Sequence, residues 1–214
     1  MHSLIYLASQ SPRRQELLTQ IGVKFQLLLA DPSEDAESLE AQLPNEPALV
    51  YVQRVTLAKL TAAKQRLHAR GLDLAPILCA DTTVALILED NKEIILGKPA
   101  DQQDAKRILQ TLSGKTHQVH TAVAVLGKPH MNDVQPRLLI SSSQVTFKSL
   151  TDEEISAYIL TNEPMGKAGA YGIQGVGSCL ISNISGSYSG IMGLPLFETS
   201  QLLNKTGVKF SLKP

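Results

Sequence analysis

The chain has 214 residues, enough for one large or two-lobed domain with a substantial core. Hydrophobic residues at 43%, charged residues at 19%, 14 Gly and 11 Pro fit a globular protein and exclude a low-complexity or disordered one. The 20 Lys and Arg balance the 20 Asp and Glu, so no global field favours nucleic acid or an anionic membrane, and any anion must be held by a local cluster.

The first predicted element is a short buried strand, Leu4 to Ala8, followed by Ser11-Pro12 as the N-cap and first position of a helix. That helix is expected to run to Ile21 and stop at Gly22. A second strand, Phe25 to Leu29, leads into residues 31–47, which carry six acids, three prolines and no Lys or Arg, and are expected to be loop. From Ala48 to Arg70-Gly71 the apolar positions Val52, Val55, Leu57, Leu60 and Leu67 predict the longest helix. Ile77 to Leu88 reads as a long strand that turns at Glu89 to Glu93 into Ile94 to Leu96, and Gly97-Lys98-Pro99 closes this hairpin.

Asp101 and Asp104 resemble a cap for a helix whose buried face is Ala105, Ile108, Leu109 and Leu112. Val119 to Leu126 and Leu138 to Phe147 predict two more strands, and Thr151 with Glu154 forms a capping box for a helix to about Leu160. The Gly-rich stretch 166–193 contains strand-like Cys179 to Ile184, and Pro195 opens a last helix through Leu203. Strands and helices alternate, with hairpins mixed in, which predicts a mixed sheet flanked by helices. The amino terminus lacks the charged start and apolar run of a signal peptide, and no run of about 18 apolar residues occurs. Cys79 and Cys179 sit in apolar surroundings, too few for a disulfide framework or a four-ligand zinc site, and are expected to be reduced core thiols of a cytoplasmic protein.

Several familiar patterns fail on spacing. Gly114-Lys115-Thr116 lacks the upstream Gly of a P-loop, with Leu109 in its place, and Gly172, Gly175 and Gly177 do not space as a dinucleotide fingerprint. His117 and His120 are three apart on a predicted strand, hence on opposite faces, and cannot jointly ligate a metal. Gly186-Ser187-Tyr188-Ser189-Gly190 has Tyr where a nucleophile elbow needs Ser.

Other residues break structural rules in an informative way. Arg13 and Arg14 occupy the first turn of a helix, where the dipole favours acids; with the hydroxyls of Ser9 and Ser11 and free backbone N–H groups they suit a phosphate. Asp81 ends the apolar run Ile77-Leu78-Cys79-Ala80, and a buried carboxylate there needs a cation, whether Lys, Arg or a metal. Lys98 lies in a tight loop that either aims its ammonium inward or leaves it in solvent. Composition does not choose among Glu34, Asp35 and Glu37 in the acidic loop. The glycines of 166–175 allow close backbone approach to a ligand, or an irregular sheet edge.

Together, Leu7 to Leu18, Ala80-Asp81-Thr82-Thr83-Val84, Gly97-Lys98-Pro99, Lys167 to Gly175 and Gly193-Leu194-Pro195 resemble the Maf family of nucleoside triphosphate pyrophosphatases, in the family's order, from about Leu4 to Leu203. The resemblance implies residues 1–214 as one two-lobed domain of the inosine-triphosphate-pyrophosphatase type, with an elongated mixed sheet and a central cleft. It implies hydrolysis of a nucleotide to its monophosphate and pyrophosphate with a divalent cation, Mg2+ or Mn2+. Ser9, Arg13, Arg14, Lys59 and Lys98 match the family's substrate-binding residues. Asp81 and Glu34, with Asp35 as the alternative to Glu34, match its metal-binding and catalytic acids, and Gln174 its catalytic Gln. Thr56 and Leu60 stand where alanines usually flank that Lys, and Gly166 stands where Asp commonly precedes Lys167, which leaves the role of Lys167 open.

Arg13 where a Trp marks the branch for methylated guanine nucleotides, and the run Ala168 to Gly175, resemble the dTTP and UTP branch. Modified pyrimidine nucleotides fit that branch too, and a housecleaning or division-linked role is implied by the family alone. The rival expectations are a non-hydrolysing nucleotide-binding regulator linked to cell division and a 7-methyl-GTP pyrophosphatase. The expected partner is a nucleoside triphosphate, with neither nucleic acid nor membrane, and with room for a homodimer.

Overall fold

The computed structural model describes residues 2–31, 34–35, 38–128 and 135–212. Among the described residues seven strands, numbered β1 to β7 in chain order, pair in the order β2-β1-β3-β5-β6-β7, with β4 added on β3. The chain divides into two compact units, and the three long strands β3 (Ile77–Ile87), β5 (Thr116–Leu126) and β6 (Arg137–Phe147) contribute residues to both.

The first unit comprises Met1–Asp81, Ala122–Ile140 and Gly193–Pro214. Its β1 (Ile5–Leu7) lies parallel to β2 (Phe25–Leu27) and to β3, in the registers Ile5↔Phe25 and Tyr6↔Ile77. All three residues of β1 are buried, as expected of a parallel strand covered on both faces. Helix α1 (Pro12–Gln20) makes the connection from β1 to β2. The long α2 (Ala48–Ala69) sets Leu60, Ala63 and Leu67 in one apolar cluster with Tyr6, Leu28, Ile77 and Cys79. A 3-10 turn, Ser38–Glu40, interrupts the acidic loop, and the last helix, α6 (Leu196–Thr206), ends on Gly207 in the left-handed region.

The second unit comprises Thr82–Thr121 and Ser141–Met192. Here β4 (Glu93–Leu96) runs antiparallel to β3, with Val84 opposite Leu96, and β7 (Ile181–Ser185) runs antiparallel to β6, with Val145 opposite Ile184. Asp101 caps α3 (Gln102–Leu112) through the Asp104 N–H at 2.8 Å. Thr151 and Glu154 make the expected capping box of α4 (Asp152–Leu160). Helix α3 packs on α4 and on a 3-10 turn at Ala168–Ala170. His117, Phe147 and Tyr171 form an edge-to-face aromatic triangle with centroids 4.8 to 5.4 Å apart.

The mixed α/β architecture is the one predicted. Strand β5 starts at Thr116, three residues before the apolar run does, so its first turn of polar side chains hid it. Two 3-10 segments, Ala168–Ala170 and Gly175–Leu180, and the short α5 (Tyr188–Met192) were not legible, because Gly- and Ser-rich sequence carries no hydrophobic period. Cys79 is buried as expected, but Cys179 is exposed: the 3-10 segment turns Leu180 inward and its neighbour out. Among the described residues no helix is long and apolar enough to cross a membrane.

Candidate active site

In the first unit the loop from β1 to α1 delivers a serine and two arginines. Ser9 Oγ accepts the Ser11 N–H at 3.2 Å and Arg14 Nη1 at 3.1 Å, while Arg14 Nε donates to the Gly193 carbonyl at 2.8 Å. Gly193, 179 residues away in sequence, thus fixes the angle of this guanidinium. Ser11 is the N-cap residue in position but makes no side-chain cap bond, and Pro12 is the first helical residue. No acid stands in the first turn of α1 to offset Arg13 and Arg14. Burial lowers the Arg14 pKa, the neighbouring Asp81 carboxylate opposes that shift, and Arg13 adds to it. A cation held in this way, at its own cost, is primed for an anion.

Asp81 lies within the buried run of β3, with buried Thr83 to Leu86 beyond it, and is 7% exposed. The cation it requires is Lys59, from α2, whose Nζ donates to Asp81 Oδ1 at 2.6 Å and to Glu40 Oε1 at 2.7 Å. One ammonium therefore bridges two carboxylates that come from a strand and from the 3-10 turn. Tyr51, at the start of α2, donates its hydroxyl to the Glu40 carbonyl at 2.9 Å and thereby ties the turn to the helix. Burial, then the charges of Asp81 and Glu40, push the Tyr51 phenol up to about 12. Cys79, two residues before Asp81 in the strand, has its thiol pushed up to about 12 by burial, so it is inert packing.

Glu34 is elsewhere in this network. Its carboxylate takes a fork from Arg66 of α2, at 2.8 Å from Nε to Oε1 and 2.6 Å from Nη2 to Oε2, and also the Asp31 N–H at 3.1 Å. The Arg66 hydrogen bonds hold its pKa at about 2, and Arg66 Nη1 in turn donates to the Leu28 carbonyl at 2.8 Å. This arrangement splices the acidic loop onto the end of β2. The acid that shares Lys59 with Asp81 is Glu40, while both Glu34 oxygens are held by Arg66. Asp35 is used locally, accepting the Ser38 N–H at 3.1 Å, and Glu37 lies outside the described residues. Six acids share this loop, and residue type alone does not separate Glu40 from Glu34.

In the second unit, Lys98 is exposed in the loop after β4, and the Gly97 carbonyl of that loop accepts the Gly169 N–H at 3.1 Å. Gly169 has φ +71, and a Cβ there would lie 2.9 Å from Val84, so this contact requires glycine. Lys167 donates its ammonium to the Glu163 carbonyl. Gln174 is half-buried, in extended backbone at the head of the Gly175–Leu180 segment. His117 and His120 do not form a metal pair: His117 Nε2 meets Tyr171 Oη at 2.8 Å and His120 Nδ1 meets Ser142 Oγ at 2.8 Å. Burial pushes His117 down to about 4, so its ring is neutral at neutral pH.

Among the described residues no group of three or more His, Cys, Asp and Glu gathers to hold a metal ion. The two carboxylates on Lys59 are a smaller set of hard oxygen donors, of the kind that Mg2+ and Mn2+ take together with waters and substrate phosphates.

Residues 4–206 match the family model described as Maf, Maf-like protein. The chain is 54% identical over 209 residues to the dTTP/UTP pyrophosphatase of Albidiferax ferrireducens, covering 98% of this chain and all of that one. It is 56% identical over 207 residues to the dTTP/UTP pyrophosphatase of Ralstonia nicotianae, covering 97% and 96%. Among solved structures, it is similar to a nucleoside-triphosphatase / dITP/XTP pyrophosphatase from Mycobacterium abscessus at 12% identity, 95% and 94% coverage and a TM-score of 0.45.

Proposed function

Because this chain belongs to the Maf family, we propose that it hydrolyses dTTP and UTP to the nucleoside monophosphate and pyrophosphate, the activity named for relatives that it matches along 96 to 100% of their length. The observation that carries this reading is the Lys59 ammonium shared between Asp81 and Glu40, with Asp81 within electrostatic reach of Arg14. Anion-holding and cation-holding groups are both assembled in one cluster, as the cleavage of a phosphoanhydride requires.

Arg14 and Arg13 bind the triphosphate, with Ser9 and the Gly193 carbonyl orienting the Arg14 fork toward phosphate oxygens. Lys59 neutralises charge that develops on those oxygens. Lys98 and Gln174, in the second unit, are further substrate contacts in this proposal. Asp81 and Glu40 would hold a divalent cation, Mg2+ or Mn2+, which when bound supplies Lewis-acid stabilisation of the phosphate charge. Asp81 accepts the proton of the attacking water or orients it, and its bond to Lys59 holds the carboxylate in place for that task. Water attacks one phosphorus of the α–β anhydride, its new O–P bond replaces the bridging one, and monophosphate and pyrophosphate separate in a single displacement without a covalent enzyme intermediate. Glu34 takes no part in this chemistry and holds the loop through Arg66. In this proposal the enzyme works in the cytoplasm, on nucleoside triphosphates.

The test is pyrophosphate release by the purified protein with Mg2+ or Mn2+ across dTTP, UTP, CTP, ATP, GTP and 7-methyl-GTP. Pyrophosphate and monophosphate in equal amounts from dTTP and UTP are expected. Preference for 7-methyl-GTP would overturn the pyrimidine assignment, and binding without turnover of any nucleotide would make the protein a regulator.

A further inference from the structure

Gln174 stands in a stretch with three glycines close by, Gly172, Gly175 and Gly177, which on composition alone is the most pliable part of the chain. The structure fixes it from both sides through one acid. The Glu163 carboxylate accepts the Val176 N–H at 3.0 Å on Oε2, and the Gly177 N–H and the Tyr158 hydroxyl, each at 2.9 Å, on Oε1. Tyr158 Oη in turn accepts the Gly172 N–H at 3.2 Å. Backbone groups two residues before Gln174 and two and three residues after it are thus tied to one carboxylate–phenol pair.

The glycines are what this wrapping demands. Gly175 has φ +75, and a Cβ there would lie 2.5 Å from Glu163 Oε2. At Gly177 a Cβ would lie 2.4 Å from the Gly172 carbonyl, 2.6 Å from Tyr158 Oη and 3.0 Å from Glu163 Oε1. The main chain approaches the carboxylate so closely that no side chain fits, and Tyr158, 2% exposed on α4, gives the pair a rigid base.

We infer that Glu163, backed by Tyr158, is a positioning residue for hydrolysis: it sets the conformation of the Gly172–Gly177 segment and so aims the Gln174 side chain. This rests on the reading of Gln174 as a substrate contact. Glu163 itself touches backbone and phenol, and its effect on turnover passes through Gln174. A glutamine at this position cannot substitute. Both carboxylate oxygens receive N–H donors, and an amide offers one acceptor and one NH2, so one backbone N–H must face another donor.

The experiment measures dTTP hydrolysis with Mg2+ by the unsubstituted protein, Glu163→Gln, Tyr158→Phe, Gln174→Ala and the Glu163→Gln/Gln174→Ala double variant. Glu163→Gln is expected to lower kcat about 30-fold with KM within about threefold, and to do nothing further once Gln174 is gone, because misplacement and removal of one group are not additive. Amide exchange at Val176 and Gly177 should quicken in Glu163→Gln. Tyr158→Phe, which keeps the ring and loses only the hydroxyl, should lower kcat about fivefold with the same dependence on Gln174, and it carries the test alone where Glu163→Gln does not fold. An unchanged kcat in Glu163→Gln or Tyr158→Phe while Gln174→Ala is impaired overturns the role of Glu163 alone. So does a loss that multiplies with Gln174→Ala, since that marks a structural effect independent of Gln174. A Gln174→Ala enzyme with full kcat instead defeats the reading of Gln174, and the positioning role with it.

Discussion

The cluster around Asp81 and the segment around Gln174 are constructed in opposite ways. The first is made of charged side chains from distant parts of the chain, joined by short ion pairs of Lys59 to Asp81 and Glu40 and of Arg66 to Glu34, and by hydrogen bonds of Arg14 to Ser9 and the Gly193 carbonyl. The second is made of backbone, with one carboxylate collecting main-chain N–H groups where glycines allow them to approach. Electrostatics sets the first and steric permission sets the second. A side chain in the first fails by leaving a charge unpaired, and a residue in the second fails by adding one atom.

That contrast is sharpest at Lys59. Lys59→Met would remove the ammonium that bridges Asp81 and Glu40, and turnover is expected to fall about 100-fold, read as kcat for dTTP. Full activity would break the assignment of the cluster. Next comes the choice between acids. Glu40→Gln should lower kcat about 30-fold, whereas Glu34→Gln should leave it within about threefold and instead cost about 2 kcal/mol of stability in urea unfolding, because Arg66 is left half-satisfied. The reverse pattern would return the catalytic role to Glu34. Arg14→Ala should raise KM about tenfold with a smaller change in kcat, and an unaltered KM would remove the arginine from triphosphate binding.

The smallest effects are in stability against pH. His117 is held neutral with its pKa at about 4 against an ordinary value near 6.5. Between these values the unfolded chain binds a proton that the folded one does not, so stability present above pH 6.5 is lost as pH falls toward 4, by up to about 3 kcal/mol. Glu34 acts in the same direction lower down, its stabilisation being present above about 4.5 and lost toward about 2. Urea midpoints measured from pH 7 to 4 should therefore fall for the unsubstituted protein and fall less for His117→Gln. An equal slope in both would contradict the buried neutral ring.

The same contrast explains what was legible in the sequence. Asp81 announced itself by breaking an apolar strand, Arg13 and Arg14 by defying the helix dipole, and the apolar faces of α2 and α3 by their period, because each is a violation or a rhythm visible in residue types alone. Glu40 was not visible as a partner of Asp81, since six acids share one loop and only the fold decides which of them Lys59 meets. The Gly-rich segment was visible only as glycine density. Its organiser, Glu163, lies three residues before the Gly-rich stretch and looks like any helix-end acid, because what it binds is backbone, which has no sequence signature.

The most direct single measurement is pyrophosphate release from dTTP by Asp81→Asn beside the unsubstituted protein, with nucleotide binding followed in parallel. The expected result is pyrophosphate from the unsubstituted protein, a loss of about 1,000-fold or more in the variant, and dTTP binding retained in both. Equal turnover by Asp81→Asn would contradict the assignment of the cluster at Lys59 as the seat of the chemistry.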